Sequence, residues 1–273
     1  MNAVLHDRKD RLSGNTDTGF LKLMALIFMV VDHAGKIFFS GGTYAGGSAR
    51  YLNIPEMRMI GRLAFPLYCW CLVVGVCRTG NPWKYALRLL IIGAISQPIY
   101  MIALHHTTPE RINFINMWAT PNIFFTLLIA LLGMQAIRER WYGSHIWGPI
   151  LSVLIAAWLA PDYGWRGVLF IVLLYMSRRE KSALAATWVA FALFWGSRDT
   201  TISSLFHLAI PYSSLSFAGQ IFQTVMRMQS LIIFALPFVL IETKSTRKMP
   251  KWLGYAAYPL HLALIWLVEI IVK

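Results

Sequence analysis

Asp32 and His33 are adjacent, and Lys36 follows one helical turn later, inside the otherwise apolar run Phe20–Phe39, FLKLMALIFMVVDHAGKIFF. A charged group at the centre of a membrane helix costs about 2.5–3.5 kcal/mol, so ionisable residues there face a bundle interior and mark candidate functional sites. Other apolar runs carry polar residues of the same character. Arg62 opens the second run, in IGRLAFPLY. Gln97 and Tyr100 sit one turn apart in the third, and Asn122 and Thr126 one turn apart in the fourth. Asp162, Tyr163 and Arg166 mark a turn. Gln220, Gln223 and Arg227 have i, i+3, i+7 spacing, and Tyr258 and His261 form an i, i+3 pair in the last run. Buried Asp, His, Arg and Gln can handle protons during a reaction or line a proton or anion path.

Each residue also has a structural reading. Asp32 and Lys36 have the spacing of an intrahelical salt bridge. Arg62 can snorkel from a helix end. Gln97, Asn122 and the eighth-run glutamines can join helices by hydrogen bonds. His105, His106, His145 and His207 read as loop or interface residues, whereas His33 and His261 lie within apolar spans. Zinc on Asp32, His33 and His261 has no supporting spacing motif, so no metal is expected. Cys69, Cys71 and Cys77 share one apolar run and read as small packing residues.

The elements that must position these residues are membrane helices. The 273-residue chain is 57% hydrophobic and 14% charged, with mean hydropathy +0.56. A soluble domain has about 45–50% apolar and about 25% charged residues. The pattern predicts an all-α, polytopic membrane bundle of roughly nine to ten spans. The nine main ones cover 20–39, 60–77, 84–104, 119–137, 146–160, 166–177, 183–196, 216–241 and 253–272. Residues 1–19 read as a cytoplasmic tail without a cleavable signal, and 20–273 as a single membrane domain.

Lys and Arg concentrate in alternate loops, including Arg78–Lys84–Arg88 and Lys244–Arg247–Lys248–Lys251. This puts the N-terminus in the cytoplasm and the polar residues toward the outer half of the membrane. The net charge of +13 reads as this topology together with anionic lipid headgroups, and nucleic acid is not an expected partner. Trp83, Trp118, Trp141 and Trp252 read as interfacial anchors. Gly41–Gly47, His105–Asn116 and Ser197–Ser214 read as outer turns and loops.

Six stretches together resemble the TraX family of conjugal-transfer membrane proteins. They are LKLMALIFMVVDHAGKIFF with Asp32-His33, RMIGRLAFPLYCWCLVVG with Arg62, RLLIIGAISQPIY with Arg88, Gln97 and Tyr100, NIFFTLLIALL with Asn122, DYGWRG at 162–167, and YPLHLALI with His261. The namesake of that family is a pilin N-acetylase. The resemblance implies an acetyltransferase of the cell inner membrane, with acetyl-CoA as co-substrate and the N-terminal amine of a pilin as acceptor. On that reading Asp32, His33, Arg62 and His261 are the catalytic candidates. Gln97, Tyr100, Asn122, Arg88, Arg227 and Tyr258 are the substrate and acyl-donor candidates.

An α-amino group titrates near pH 8 and needs a base to free its lone pair. His33 is the first choice, with His261 as alternative or relay partner. Arg62, Gln97 or Asn122 would face the oxyanion, and an acetyl-histidine is the covalent variant. Arg78, Lys84 and Arg88 suit the phosphates of acetyl-CoA, whose pantetheine arm would thread into the bundle. The competing expectations are a glycan or lipid acceptor, a small-solute or proton transporter, and a non-catalytic assembly factor.

Overall fold

The computed structural model describes residues 12–38, 55–105, 113–205, 208–210, 212, 216–244 and 251–272. The expected turn Gly41–Gly47, most of the loop from His105, His207 and Pro211 lie outside the described residues, as do Arg8, Lys9, Arg11, Arg247 and Lys248.

The chain is a bundle of α-helices: α1 Thr18–Phe38, α2 Pro55–Gly61, α3 Ala64–Arg78, α4 Pro82–His105, the single turn α5 Phe114–Met117, α6 Ile123–Glu139, α7 Ser144–Leu159, α8 Gly164–Ser177, α9 Lys181–Gly196, α10 Phe217–Val225, α11 Leu236–Leu240 and α12 Lys251–Val272. A two-residue-per-strand hairpin, Ser204–Leu205 with Leu208–Ala209, interrupts the helices after α9. Among the described residues, four stretches are long and apolar enough to cross a membrane: Thr18–Lys36, Glu56–Arg78, Pro82–His105 and Trp141–Leu159. Their outward sides are apolar. Ile146, Ile150, Leu154 and Trp158 stand exposed along α7, and Leu87, Ile91 and Ile95 along α4. Exposed apolar surface on this scale marks contact with lipid or another protein, and with these lengths it describes a helical membrane protein.

Small residues set the helix spacing, as membrane packing favours. A methyl group added at Gly148 would overlap Ala136, and one at Gly133 would meet Ser152, so α6 and α7 lie in direct backbone apposition. The same device joins α1 to α2. Methyl groups at Gly35 and Gly61 would run into Met57 and Asp32 respectively, and the closeness of the two helices presses Asp32 against the end of α2. Gly61→Ala is therefore expected to cost about 1–3 kcal/mol by overpacking, read as a lowered unfolding temperature in detergent. Gly80→Ala, where nothing lies within 4 Å, serves as the unchanged control.

The segment before α1 is built into the core. Asn15 is fully buried; its amide donates to Phe238 O at 3.1 Å and Thr243 Oγ1 at 2.9 Å, and its carbonyl accepts from Trp70 Nε1 at 2.7 Å. Asp17 then caps α1 by accepting from Phe20 N at 3.1 Å. These bonds tie the start of α1 to α3, to α11 and to the chain just after it.

The expected continuous span 216–241 is broken. Helix α10 ends at Val225, Arg227 is extended and bridges Thr201, and a 3-10 segment Met228–Ala235 leads into α11. Gln220, Gln223 and Arg227 consequently do not form one helical stripe. The physical reason is tertiary: Arg227 satisfies the carbonyls left open at the end of α9, donating to Ser197 O and Gly196 O. Close packing of Gly196 on Ser230 fixes the crossing.

Candidate active site

His33 and His261 meet across α1 and α12, with His33 Nδ1 2.6 Å from His261 Nε2. The rings are nearly parallel, 10° apart in plane with centroids 4.9 Å apart. The second nitrogen of His261, Nδ1, lies 2.8 Å from Ala257 O. A carbonyl oxygen only accepts, so His261 Nδ1 carries a proton. In the neutral pair His261 Nε2 is then an acceptor, and His33 Nδ1–H donates to it. This assignment leaves the lone pair on His33 Nε2, the position of a general base. A proton taken there can be balanced by passing the Nδ1 proton to His261. The hydrogen-bond partner of His33 is thus His261 rather than the adjacent Asp32.

Asp32 instead pairs with Arg58, whose Nη1 donates to Oδ2 at 2.6 Å. Sequence reading started the second span at residue 60 and missed Arg58. Its signal is its spacing, four residues before Arg62 and in the helix that leads into the Arg62 turn. Asp32, His33, Lys36, Arg58, Arg62, Tyr100, Asp162, Tyr163, Trp165, Arg166, Trp195 and Gln229 line a polar cavity of about 470 Å³. The α7–α8 turn is held against α4 by Tyr100 OH, which donates to Asp162 Oδ1 at 3.2 Å. Asp162 N also donates to Pro121 O at 2.9 Å.

A second, larger cavity of about 820 Å³ begins at the N-terminal end of α1. Lys22, Arg78, Arg88 and Lys244 stand among its lining residues with Thr16–Gly19. Its other walls are Met29, Cys71, Leu72, Leu89, Ile123, Phe124, Leu127 and Tyr258. From Thr18 to Met29 is a helical rise of roughly 16 Å. The larger cavity reaches Tyr258 and the smaller one His33. On α1 the step from Met29 to His33 is one turn, and on α12 the step from Tyr258 to His261 is one turn. The Tyr258 ring stands edge-on to both imidazoles, with centroids 6.4 Å from His33 and 5.5 Å from His261. Its hydroxyl is buried with no partner among the described residues.

The other sequence candidates lie elsewhere. Gln97 and Asn122 are fully buried and committed to the α5–α6 connection. Gln97 Nε2 donates to Met117 O at 2.7 Å and Thr120 O at 2.9 Å, and its Oε1 accepts from Asn122 N at 2.9 Å. Asn122 donates to Gly93 O at 2.8 Å and caps α6 by accepting from Phe124 N at 3.0 Å. Arg88 lines the larger cavity, and Arg227 lies at the α9–α10 crossing, in neither cavity. Lys22, Lys244, Trp195 and Gln229 were not singled out by sequence, because only the fold brings them to a cavity wall. No group of three or more metal-ligating side chains occurs among the described residues.

Comparison with known proteins adds context to this geometry. A family model described as TraX protein matches residues 17–269. A probable fimbrial assembly protein FimC, serogroup H1, of Dichelobacter nodosus is 29% identical over 259 residues, covering 90% of this chain and 92% of its own length. An uncharacterized protein, RP591, of Rickettsia prowazekii (strain Madrid E) is 24% identical over 204 residues, covering 73% of this chain and 69% of its own. No solved structure matches.

Proposed function

Because the chain belongs to the TraX family, we propose that it is a pilus-related membrane acetyltransferase. It transfers an acetyl group from acetyl-CoA to the N-terminal amine of a pilin subunit at the cell inner membrane. The observation that carries this reading is that the larger cavity is lined by Tyr258 and the smaller by His33, and the two rings stand 6.4 Å apart. A group-transfer enzyme needs both substrates to reach one base. The fimbrial description of the Dichelobacter relative supports a pilin acceptor.

The larger cavity suits the donor. Lys22, Arg78, Arg88 and Lys244 offer the charge-assisted hydrogen bonds that phosphates take, and the apolar wall beyond them suits a pantetheine arm. With the N-terminus cytoplasmic, as the distribution of Lys and Arg favours, this mouth faces the acetyl-CoA pool. The smaller cavity, on the far side, receives the amine. His33 Nε2 takes one proton from the amine as its nitrogen attacks the thioester carbonyl. The carbon–sulfur bond then breaks and the proton returns to the leaving sulfur, giving the amide and free thiol. During the step the positive charge is shared with His261 through the 2.6 Å bond. Asp32 and Arg58 hold α1 against α2 beside the base. The unpartnered Tyr258 hydroxyl is the group suited to donate to the developing oxyanion.

Intact-mass spectrometry of candidate pilins from cells with and without the protein tests the proposal. A gain of one acetyl group at the N-terminal residue supports it. Unchanged pilins together with proton flux in proteoliposomes lacking any acyl donor would replace it with a transporter. Tyr258→Phe removes only the hydroxyl, and is expected to lower kcat by about 100-fold with the KM for acetyl-CoA nearly unchanged. A rise in KM alone would reduce Tyr258 to a wall of the donor cavity.

A further inference from the structure

Charge is unbalanced in the smaller cavity. Four cations line it, Lys36, Arg58, Arg62 and Arg166, against two carboxylates, Asp32 and Asp162, among the described residues. Asp32 is engaged by Arg58 at 2.6 Å. Lys36 is attracted by both Asp162 and Asp32. Arg62 and Arg166 are left without a lining carboxylate of their own, and the Nε of each is buried with no hydrogen-bond partner. Both residues are half-buried, and the buried Nε–H of each, left without an acceptor, carries a desolvation cost. The planar guanidinium fork of donors matches a carboxylate or a phosphate.

The surroundings hold these two arginines in fixed positions. Arg62 lies in the turn between α2 and α3, its backbone N donating to Met59 O at 3.2 Å. Arg166 lies in the first turn of α8, its guanidinium 5.3 Å from the centroid of Trp165. Behind them, Phe65 and Tyr163 stack with centroids 3.6 Å apart, and Trp195 stands edge-on to both. The lining of the smaller cavity therefore combines the aromatic rings of Tyr163, Trp165 and Trp195 with the two cations.

We infer that the smaller cavity recognises its acceptor through a carboxylate, carried by the acceptor peptide close to its N-terminal amine and held by Arg62 and Arg166 while the amine meets His33. The inference rests on the peptide-acceptor reading above. It adds a chemical requirement that an amine alone does not carry. A lipid phosphate would offer the same charge, and the experiment separates the two.

The full chain, in nanodiscs of zwitterionic phosphatidylcholine and without acetyl-CoA, is titrated with fluorescent peptides bearing a free N-terminus. Each peptide with a single glutamate at one of the first positions is paired with its glutamine twin. The wild type is expected to bind at least one acidic peptide about tenfold or more tighter than its twin. Arg62→Gln and Arg166→Gln each collapse the gap, and Arg62→Lys restores part of it by keeping the charge. Equal binding of every pair overturns the inference, as does a gap that survives both substitutions. Binding of phosphatidic acid without any peptide discrimination overturns it in favour of a lipid. Arg166, at a helix start, gives a readable variant if Arg62→Gln fails to fold. Discrimination without acetyl transfer would keep this site and remove the transferase. Transfer without discrimination would do the reverse.

Discussion

His33→Ala is expected to lower acetyl transfer by about 10²–10⁴-fold, the range lost with a general base, while folded protein is retained. Truncation removes the one ring nitrogen that the hydrogen bonds leave free to accept a proton. His261→Ala is expected to lose less, because it removes the orienting group and leaves the base. His33 Nδ1–H then loses its acceptor at 2.6 Å, and the tautomer with a free Nε2 is no longer enforced. His261→Gln should recover part of that loss, since an amide oxygen can accept from the same N–H. The rate of acetyl transfer to a responsive pilin, compared at matched protein levels, reads the order. If His261→Ala proves the more severe and glutamine does not rescue it, His261 is the proximal base and the assignment inverts.

Gln97→Ala is expected to act on stability instead. The side chain serves Met117 O, Thr120 O and Asn122 N at once. Its removal strands the buried Asn122 N at about 1–3 kcal/mol and leaves two part-buried carbonyls, which cost less, without their donor. A loss of about 3 kcal/mol or more should show as a lowered unfolding temperature and poor recovery from the membrane. Asn122→Ala should follow the same pattern, because it loses the α6 cap and the bond to Gly93 O. A well-folded Gln97→Ala protein with normal thermal behaviour and a raised KM would return Gln97 to the substrate.

Gln97 and Asn122 on one side, and His33 and His261 on the other, show what a chain reading can separate. All four are polar residues in apolar helices, and sequence treats them alike. Hydrogen-bond saturation distinguishes them, and it depends on which backbone carbonyls the fold brings within 3 Å. The helix 216–241 was misread for a related reason. Its apolar content supports a continuous span, but the free carbonyls at the end of α9 and the contact of Gly196 with Ser230 are long-range features. They break the helix at Arg227.

The sequence by itself determined the class and the inventory: apolar runs of membrane length, the residues costly enough in lipid to require a purpose, and the family blocks that carry them. Those follow from transfer free energies and local spacing, which need no partner. Only the tertiary structure decided the pairings. Asp32 is bound to Arg58 rather than to His33, His33 finds its acceptor 228 positions away in His261, and the larger cavity ends on Tyr258 beside the His33 that lines the smaller one. Interactions of this kind depend on distances of a few ångströms between helices. Gly35 and Gly61 set that distance between α1 and α2, and one-dimensional periodicity does not encode it.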